Sequence, residues 1–278
     1  MPTAPAAVDV DKLIGQVERA SPMARVLQKA LTVINDAHSD ADQIARVIQF
    51  DEALSGLVLR LANSAYFSPA QRISSVKRAV AYVGLVQLKQ LLLPMATASF
   101  LDAALPAYHL NRGQLWSHAI GMAVGARYLA ASHSVGVAEA AYTAGLLADV
   151  GLRVFDPVLQ TLPAAAGQVP TPAIERACLG LDHARLGALI ARRWRLPEMV
   201  IDAIEHHHAP RQAGAGANVA AALHLVDTCL AQRGDGFPAA PQPDSAALQA
   251  YRLDEARYAR LYDAIQPLLR TARVSFGL

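Results

Sequence analysis

Apolar residues recur along this chain at three- and four-residue spacing, the period of a helix with one buried face. In MARVLQKALTVIND, Val26, Ala30, Val33 and Ile34 share such a face, and Ser21-Pro22 supplies a cap and a first-turn proline. Asp40 opens ADQIARVIQF and Asp51 opens EALSGLVLRLANSA, while YFSPAQR with Pro69 reads as a turn. Ser74 or Ser75 caps VKRAVAYVGL, and Gly84 is its stop signal. A long helix from about Val86 to Asp102 is expected to bend near Pro94. Beyond AALPAYHLNRG, two long apolar helices are predicted over about 112–132 and 137–151, followed by punctuation at VPTP, 169–172. Asp182 caps HARLGALIARRW, and Leu196-Pro197 opens EMVIDAIEHHH. AGAGA at 213–217 is a joint before the apolar helix NVAAALHLVDTCLAQR. GDGFPAAPQPD is a loop, and a final helix covers about 254–272. No segment alternates apolar and polar residues as a half-buried strand would, so the expected fold is all-α.

Short connections between these helices imply antiparallel neighbours sharing faces in bundles. The expected organisation is one unit over 8–212, with an N-terminal helical lobe over about 8–107 and a second lobe over about 108–212. The C-terminal helices, 213–278, are expected to pack on that second lobe. The 278 residues suffice for a sizeable core, and 53% hydrophobic against 17% charged residues excludes a disordered chain. A mean hydropathy of +0.23 raises the question of a membrane span. The run QLLLPMATASFL, 90–101, is shorter than the roughly 20 residues a bilayer crossing needs and contains Pro94. No basic segment followed by an apolar one opens the chain, so the expectation is a cytoplasmic protein without membrane association. Net charge is +2, which leaves no electrostatic footprint for nucleic acid. RRWR at 192–195 reads as a solvated face with an anchored tryptophan, and Cys178 and Cys229 as two isolated structural thiols.

Five polar residues interrupt apolar helical stretches: His118 in LWSHAIGMAVG, Asp149 in GLLADVG, His183 after Asp182, His207 in the triplet 206–208, and Asp227 in LHLVDTCL. A carboxylate buried in such a place loses hydration unless a donor or a counter-charge meets it. Asp149 and Asp227 are natural partners for the histidines once distant helices converge, the way bundles build metal sites. The same residues also have plainer roles open to them. Asp149 and Asp227 could satisfy a helix start, His118 a backbone carbonyl, and the triplet a helix C-terminus favoured by the dipole.

The order W-S-H, then A-D-V-G, then LDHARLGALIARRWRLPEMVIDAIEHHHAP resembles the HDOD family, a divergent branch of the HD superfamily related to the HD-GYP phosphodiesterases. LVLRLANSAYFSPAQRISSVKRAVAYVGLVQLKQLLL is similar to that family's N-terminal helical region. The resemblance implies a multi-helix HD-like bundle with an additional N-terminal helical lobe. It places the HD ligand positions on His118, on 148 and 149 and on Asp227, and the further ligands of two-metal relatives on His183 and His207. Position 148 is Ala, so the histidine that names the superfamily is missing, as are the lysine expected soon after it and the G-Y-P element.

A catalytic metal commonly needs three protein ligands and an open position for water. Ala148 removes one ligand where affinity and water activation concentrate, so no catalytic residue and no cofactor is expected. His118, Asp149, His183, His207 and Asp227 are then a residual HD-site pocket, with Asp149 anchoring His118. The leading expectation is a non-catalytic bacterial signal-transduction protein with a degenerate metal site, acting on signalling proteins through contacts or on a small ligand. Arg60, Asn63, Ser64, Tyr66 and Phe67, at a helix end and its turn, are the expected interaction surface. One alternative is a metal-dependent phosphohydrolase or phosphodiesterase with iron, manganese or zinc on His118, Asp149 and Asp227. Another is a cyclic-dinucleotide receptor with a nucleotide in the second half.

Overall fold

Short polar side chains placed just before each apolar stretch set where the helices begin. The computed structural model describes residues 9, 11–15, 40–64, 67–162, 169–235 and 242–276. The helix expected after Ser21-Pro22, and Tyr66 of the expected interaction surface, lie outside the described residues. Among the described residues all regular structure is helical; the one β interaction is an isolated bridge between Leu105 and Leu110. The all-α expectation holds.

The chain divides into two compact units, residues 17–100 and residues 1–16 with 101–278. The first contains α1 (Ala41–Gln49), α2 (Glu52–Ala62), α3 (Val76–Val83) and most of α4 (Leu85–Leu101). Asp40 and Gln43 form a reciprocal capping box at α1, the Asp40 carboxylate accepting from the Gln43 amide at 2.7 Å. Asp51 and Ser75 cap α2 and α3, and Gly84 ends α3 at φ 79°. Ile44 and Ile48 of α1, Leu54, Leu57 and Leu61 of α2, and Val80 and Val83 of α3 are buried. Helices α1 and α2 both pack on α3.

The second unit is built around α5 (Gln114–Ala130), which buries residues on every side, the pattern of a central helix. Around it are α6 (Val135–Leu147), α11 (Ala217–Gln232) and α14 (Leu261–Phe276). Gly145 lets α6 approach α5 closely: a Cβ there would lie 2.7 Å from the Met122 carbonyl. Helices α7 (Val150–Leu159), α8 (Pro172–Leu179), α9 (His183–Arg193) and α10 (Glu198–His206) follow. Helix α9 packs on both α7 and α10, and α10 packs on α6 and α11. Two short helices, α12 (Ser245–Ala250) and α13 (Glu255–Ala259), precede α14, so the single final helix expected over 254–272 is divided.

The expected helix over 137–151 is also divided. It breaks at Ala148–Asp149, and α7 begins after Asp149, which leaves helical geometry at φ −103°, ψ 14°. Val135–Leu159 is nevertheless long and apolar enough by composition to cross a membrane, with 67% of its most apolar window buried in this fold. Trp194 of RRWR is buried while Arg192, Arg193 and Arg195 are exposed, and both cysteines are free.

Candidate functional site

The break between α6 and α7 explains the lone acid in the apolar run. Asp149 occupies the capping position of α7, yet its side chain makes no capping bond. It turns instead toward imidazoles delivered by three other segments. His118 comes from α5, His183 from the first position of α9, and His207 and His208 from the turn that ends α10. Asp227 enters from α11. All five residues singled out from the sequence therefore converge.

Asp149 Oδ2 lies 3.3 Å from His118 Nε2, and Asp149 Oδ1 lies 3.4 Å from His183 Nε2 and 3.8 Å from His207 Nε2. Asp227 Oδ1 is 3.5 Å from His118 Nε2, and its other oxygen is 3.8 Å from His208 Nδ1. All five separations exceed an ordinary N–H···O bond, so the cluster is slightly open. Side-chain exposure is 5% or less for His118, Asp149, His183 and His207, 9% for Asp227 and 27% for His208.

Two residues absent from the sequence-based set complete the cluster. Glu175 of α8, fully buried, accepts from His183 Nδ1 at 2.8 Å, from the His183 backbone N–H at 2.7 Å and from the Tyr108 hydroxyl at 2.9 Å. His208 Nε2 lies 2.9 Å from His183 Nε2. His206, the first of the triplet, faces elsewhere and bonds the Asp202 carbonyl. Glu175 sits in PAIERACLG, where a first-turn acid reads as an exposed helix residue. Only the close packing of α9 on α7 puts His183 within reach of both acids: a Cβ at Gly151 would lie 2.2 Å from the His183 carbonyl.

These contacts fix the protons. Burial lowers His183, but the Glu175 charge and the Asp149 bond outweigh it and hold the imidazole charged well above its usual range. Burial also opposes charge on His118, and Asp149, then Asp227, raise it nonetheless. Asp149, despite a burial effect that raises it, is held well below the carboxylate range by His118 and His183. Burial pushes Asp227 up to about 6, with His118 pulling the other way. Burial lowers His207 to about 4, and it lowers His208 well below its ordinary value with help from charge on His207 and His183.

His207 donates from Nδ1 to the Ile204 carbonyl at 2.8 Å, which leaves Nε2 as a buried lone pair without a hydrogen-bond partner. That orphaned nitrogen tests whether the residues suit a divalent ion. Asp149, His183, His207 and His208 each offer a donor atom, and the four lie within 4.8 Å of one another. Zinc-like bonds of about 2.0–2.2 Å set neighbouring ligands about 3–3.5 Å apart, a spacing met by His183 and Asp149 at 3.4 Å and approached by His207 and Asp149 at 3.8 Å. His183 and His207 are oriented through their second nitrogens by a carboxylate and a carbonyl, as metal-bound imidazoles usually are. The donor set fits. It differs from the trio His118, Asp149 and Asp227 expected from the sequence, sharing only Asp149.

The expected interaction surface lies in the other unit. Arg60 is exposed, with its guanidinium folded back beside Gly56. Asn63 donates to the Leu59 and Ile73 carbonyls at 2.7 and 2.8 Å and accepts from the Ile73 amide at 2.8 Å, which ties the loop to α2. Phe67 meets the Tyr82 ring edge-on at 6.3 Å, and the Tyr82 hydroxyl donates to the Phe67 carbonyl. Ser64 is half-buried.

A helical bundle with histidines and aspartates of separate helices meeting at a buried centre defines an HD-like protein. The HDOD domain model matches residues 21–210, and the chain belongs to the HDOD family. It is 32% identical over 172 residues to an uncharacterized protein of Treponema pallidum (strain Nichols), 59% of this chain but 33% of that one, so it spans a third of that relative's length. An HDOD domain protein of unknown function from Geobacter sulfurreducens superposes with a TM-score of 0.68 at 24% identity, over 96% of this chain and 98% of the other. A candidate phosphohydrolase from Shewanella amazonensis SB2B gives 0.67 at 20% identity, over 95% and 97%. A candidate signal transduction protein from Marinobacter aquaeolei VT8 gives 0.68 at 22%, over 92% of this chain and 59% of that one. At these identities the likeness concerns the fold alone.

Proposed function

We propose that this chain is a non-catalytic signal-transduction module whose HD-type centre no longer hydrolyses a substrate. In this reading it works in the cytoplasm through contacts with other signalling proteins or through a small ligand. The observation that carries the proposal is the burial of the cluster: His118, Asp149, His183 and His207 each expose 5% of their side chains or less. Ala148 adds no ligand and no proton donor beside it. Family membership and a neighbour named as a candidate signal transduction protein support the regulatory role. The test is turnover of phosphodiester and phosphomonoester substrates by protein supplied with iron, manganese or zinc. No turnover above background is expected; turnover that Asp149→Asn abolishes would overturn the reading.

A second reading, a metal-dependent phosphohydrolase with a reduced ligand set, is favoured by the lone pair of His207 and the fitting donor set. An ion held there would supply Lewis acidity. Asp149, His183, His207 and His208 would hold it, with Glu175 orienting His183; the neutral His207 and His208 would bind without first losing a proton, and His183 would bind on losing one. Metal content of protein purified without chelator or nickel resin separates a bare cluster from a loaded one, and the turnover assay separates a loaded regulator from an enzyme.

A further inference from the structure

Away from the histidine cluster, Asn63, Ser64, Ser68, Pro69 and Arg72 line an open depression of about 460 Å³ beyond the end of α2. That volume lies in the range of small-molecule sites, roughly 300–1,000 Å³. Its lining has an unbalanced hydrogen-bonding inventory. Several acceptors at the end of α2 are already used: the Leu59 carbonyl takes Asn63, the Leu61 carbonyl takes the Ser64 amide, and the Ser64 carbonyl takes the amides of Phe67 and Ser68. Asn63 has both ends of its amide committed to Leu59 and Ile73. The Ser64 hydroxyl is buried and has no partner. The Arg72 side chain is exposed, and its five donors and fixed positive charge stand beside that hydroxyl's pocket. Ser68 holds φ at 39°, a left-handed conformation that costs a non-glycine residue energy and tends to mark functional loops.

We infer that this depression binds the anionic oxygens, phosphoryl or carboxylate, of a small molecule, with Arg72 gripping the anion and the Ser64 hydroxyl donating to it. A guanidinium pairs two oxygens of either group at once, and a hydroxyl left without an acceptor gains one. Asn63 ties Ile73 to the end of α2, which places Arg72 beside Ser64. This inference is independent of the fate of the histidine centre and would give a regulatory module its input.

The experiment titrates the full-length, isotope-labelled chain with inorganic phosphate, with acetate and with sodium chloride at matched ionic strength, following the amide signals of Ser64 and Ser68 and the Arg72 side-chain N–H. Saturable shifts with phosphate or acetate but not chloride are expected, and the tighter of the two identifies the group recognised. Arg72→Gln should weaken that binding about 10-fold or more, the loss of a charge-assisted bond, with an unchanged melting temperature because the side chain is exposed. Ser64→Ala should weaken it by a smaller factor. Shifts that do not saturate, that chloride reproduces, or that persist in Arg72→Gln would overturn the inference.

Discussion

Among the described residues Asp149 lies within 4 Å of three imidazoles, and its removal leaves His118 with Asp227 and His183 with Glu175 as their remaining counter-charges. Asp149 raises both His118 and, after Glu175, His183, and each is almost fully buried. Breaking a buried network by deleting one partner typically costs about 3–5 kcal/mol, so Asp149→Ala should lower the urea-unfolding free energy by about that amount. Unchanged stability would mean that the cluster is not held together by this charge. Most of the centre was legible in the sequence for the same reason that it is energetically tense. His118, Asp149, His183, His207 and Asp227 stand out because polar groups interrupt apolar helices. Glu175 and His208 did not stand out. The first carries the spacing of an ordinary surface acid, and the second hides in a triplet whose members point in different directions.

Between elements, the centre depends on how closely backbones approach. Gly151 sits where α7 crosses the start of α9, and a methyl there would meet backbone atoms, which cannot rotate away. Gly151→Ala should therefore destabilise the protein by about 1–3 kcal/mol, the usual cost of overpacking, and displace Asp149 from His183. Gly136 in α6 meets nothing within 4 Å, so Gly136→Ala is the matched control and should be neutral or stabilising by about 0.5–1 kcal/mol from helix propensity. Thermal unfolding of the two variants separates the contact from the propensity effect. Helix starts were readable because Asp40, Asp51 and Asp182 cap in the expected way. The break at Ala148–Asp149 was not, because the apolar pattern runs through it without a proline or glycine stop. Only convergence with α9 and α10 gives the aspartate a reason to leave the helix.

For the whole molecule, the cluster writes a signature into the pH dependence of stability, and its direction follows from which state binds more protons. His118 and His183 are raised in the folded protein, so their contribution is complete below the ordinary histidine value of about 6.5 and is lost as pH rises through their folded values. Asp149 is depressed, so its contribution is present above about 3.9 and disappears only as pH falls through its lower folded value. Between those limits two effects oppose each other. Asp227, raised to about 6, keeps a proton in the folded state from about pH 4 to 6, whereas His207, lowered to about 4, refuses one over nearly the same interval. Their slopes have opposite sign, and His208 and His224, lowered as well, add to that of His207. Metal-free protein should consequently show a melting temperature that rises from about pH 4.5 to 6.5 and declines toward pH 9. His183→Gln should be less stable at pH 6 and should shallow the alkaline decline, because it removes the most strongly raised group. If the wild-type melting temperature instead climbed from pH 6.5 to 9, the imidazoles would be neutral in the folded state, and the charge arrangement around Asp149 would be wrong.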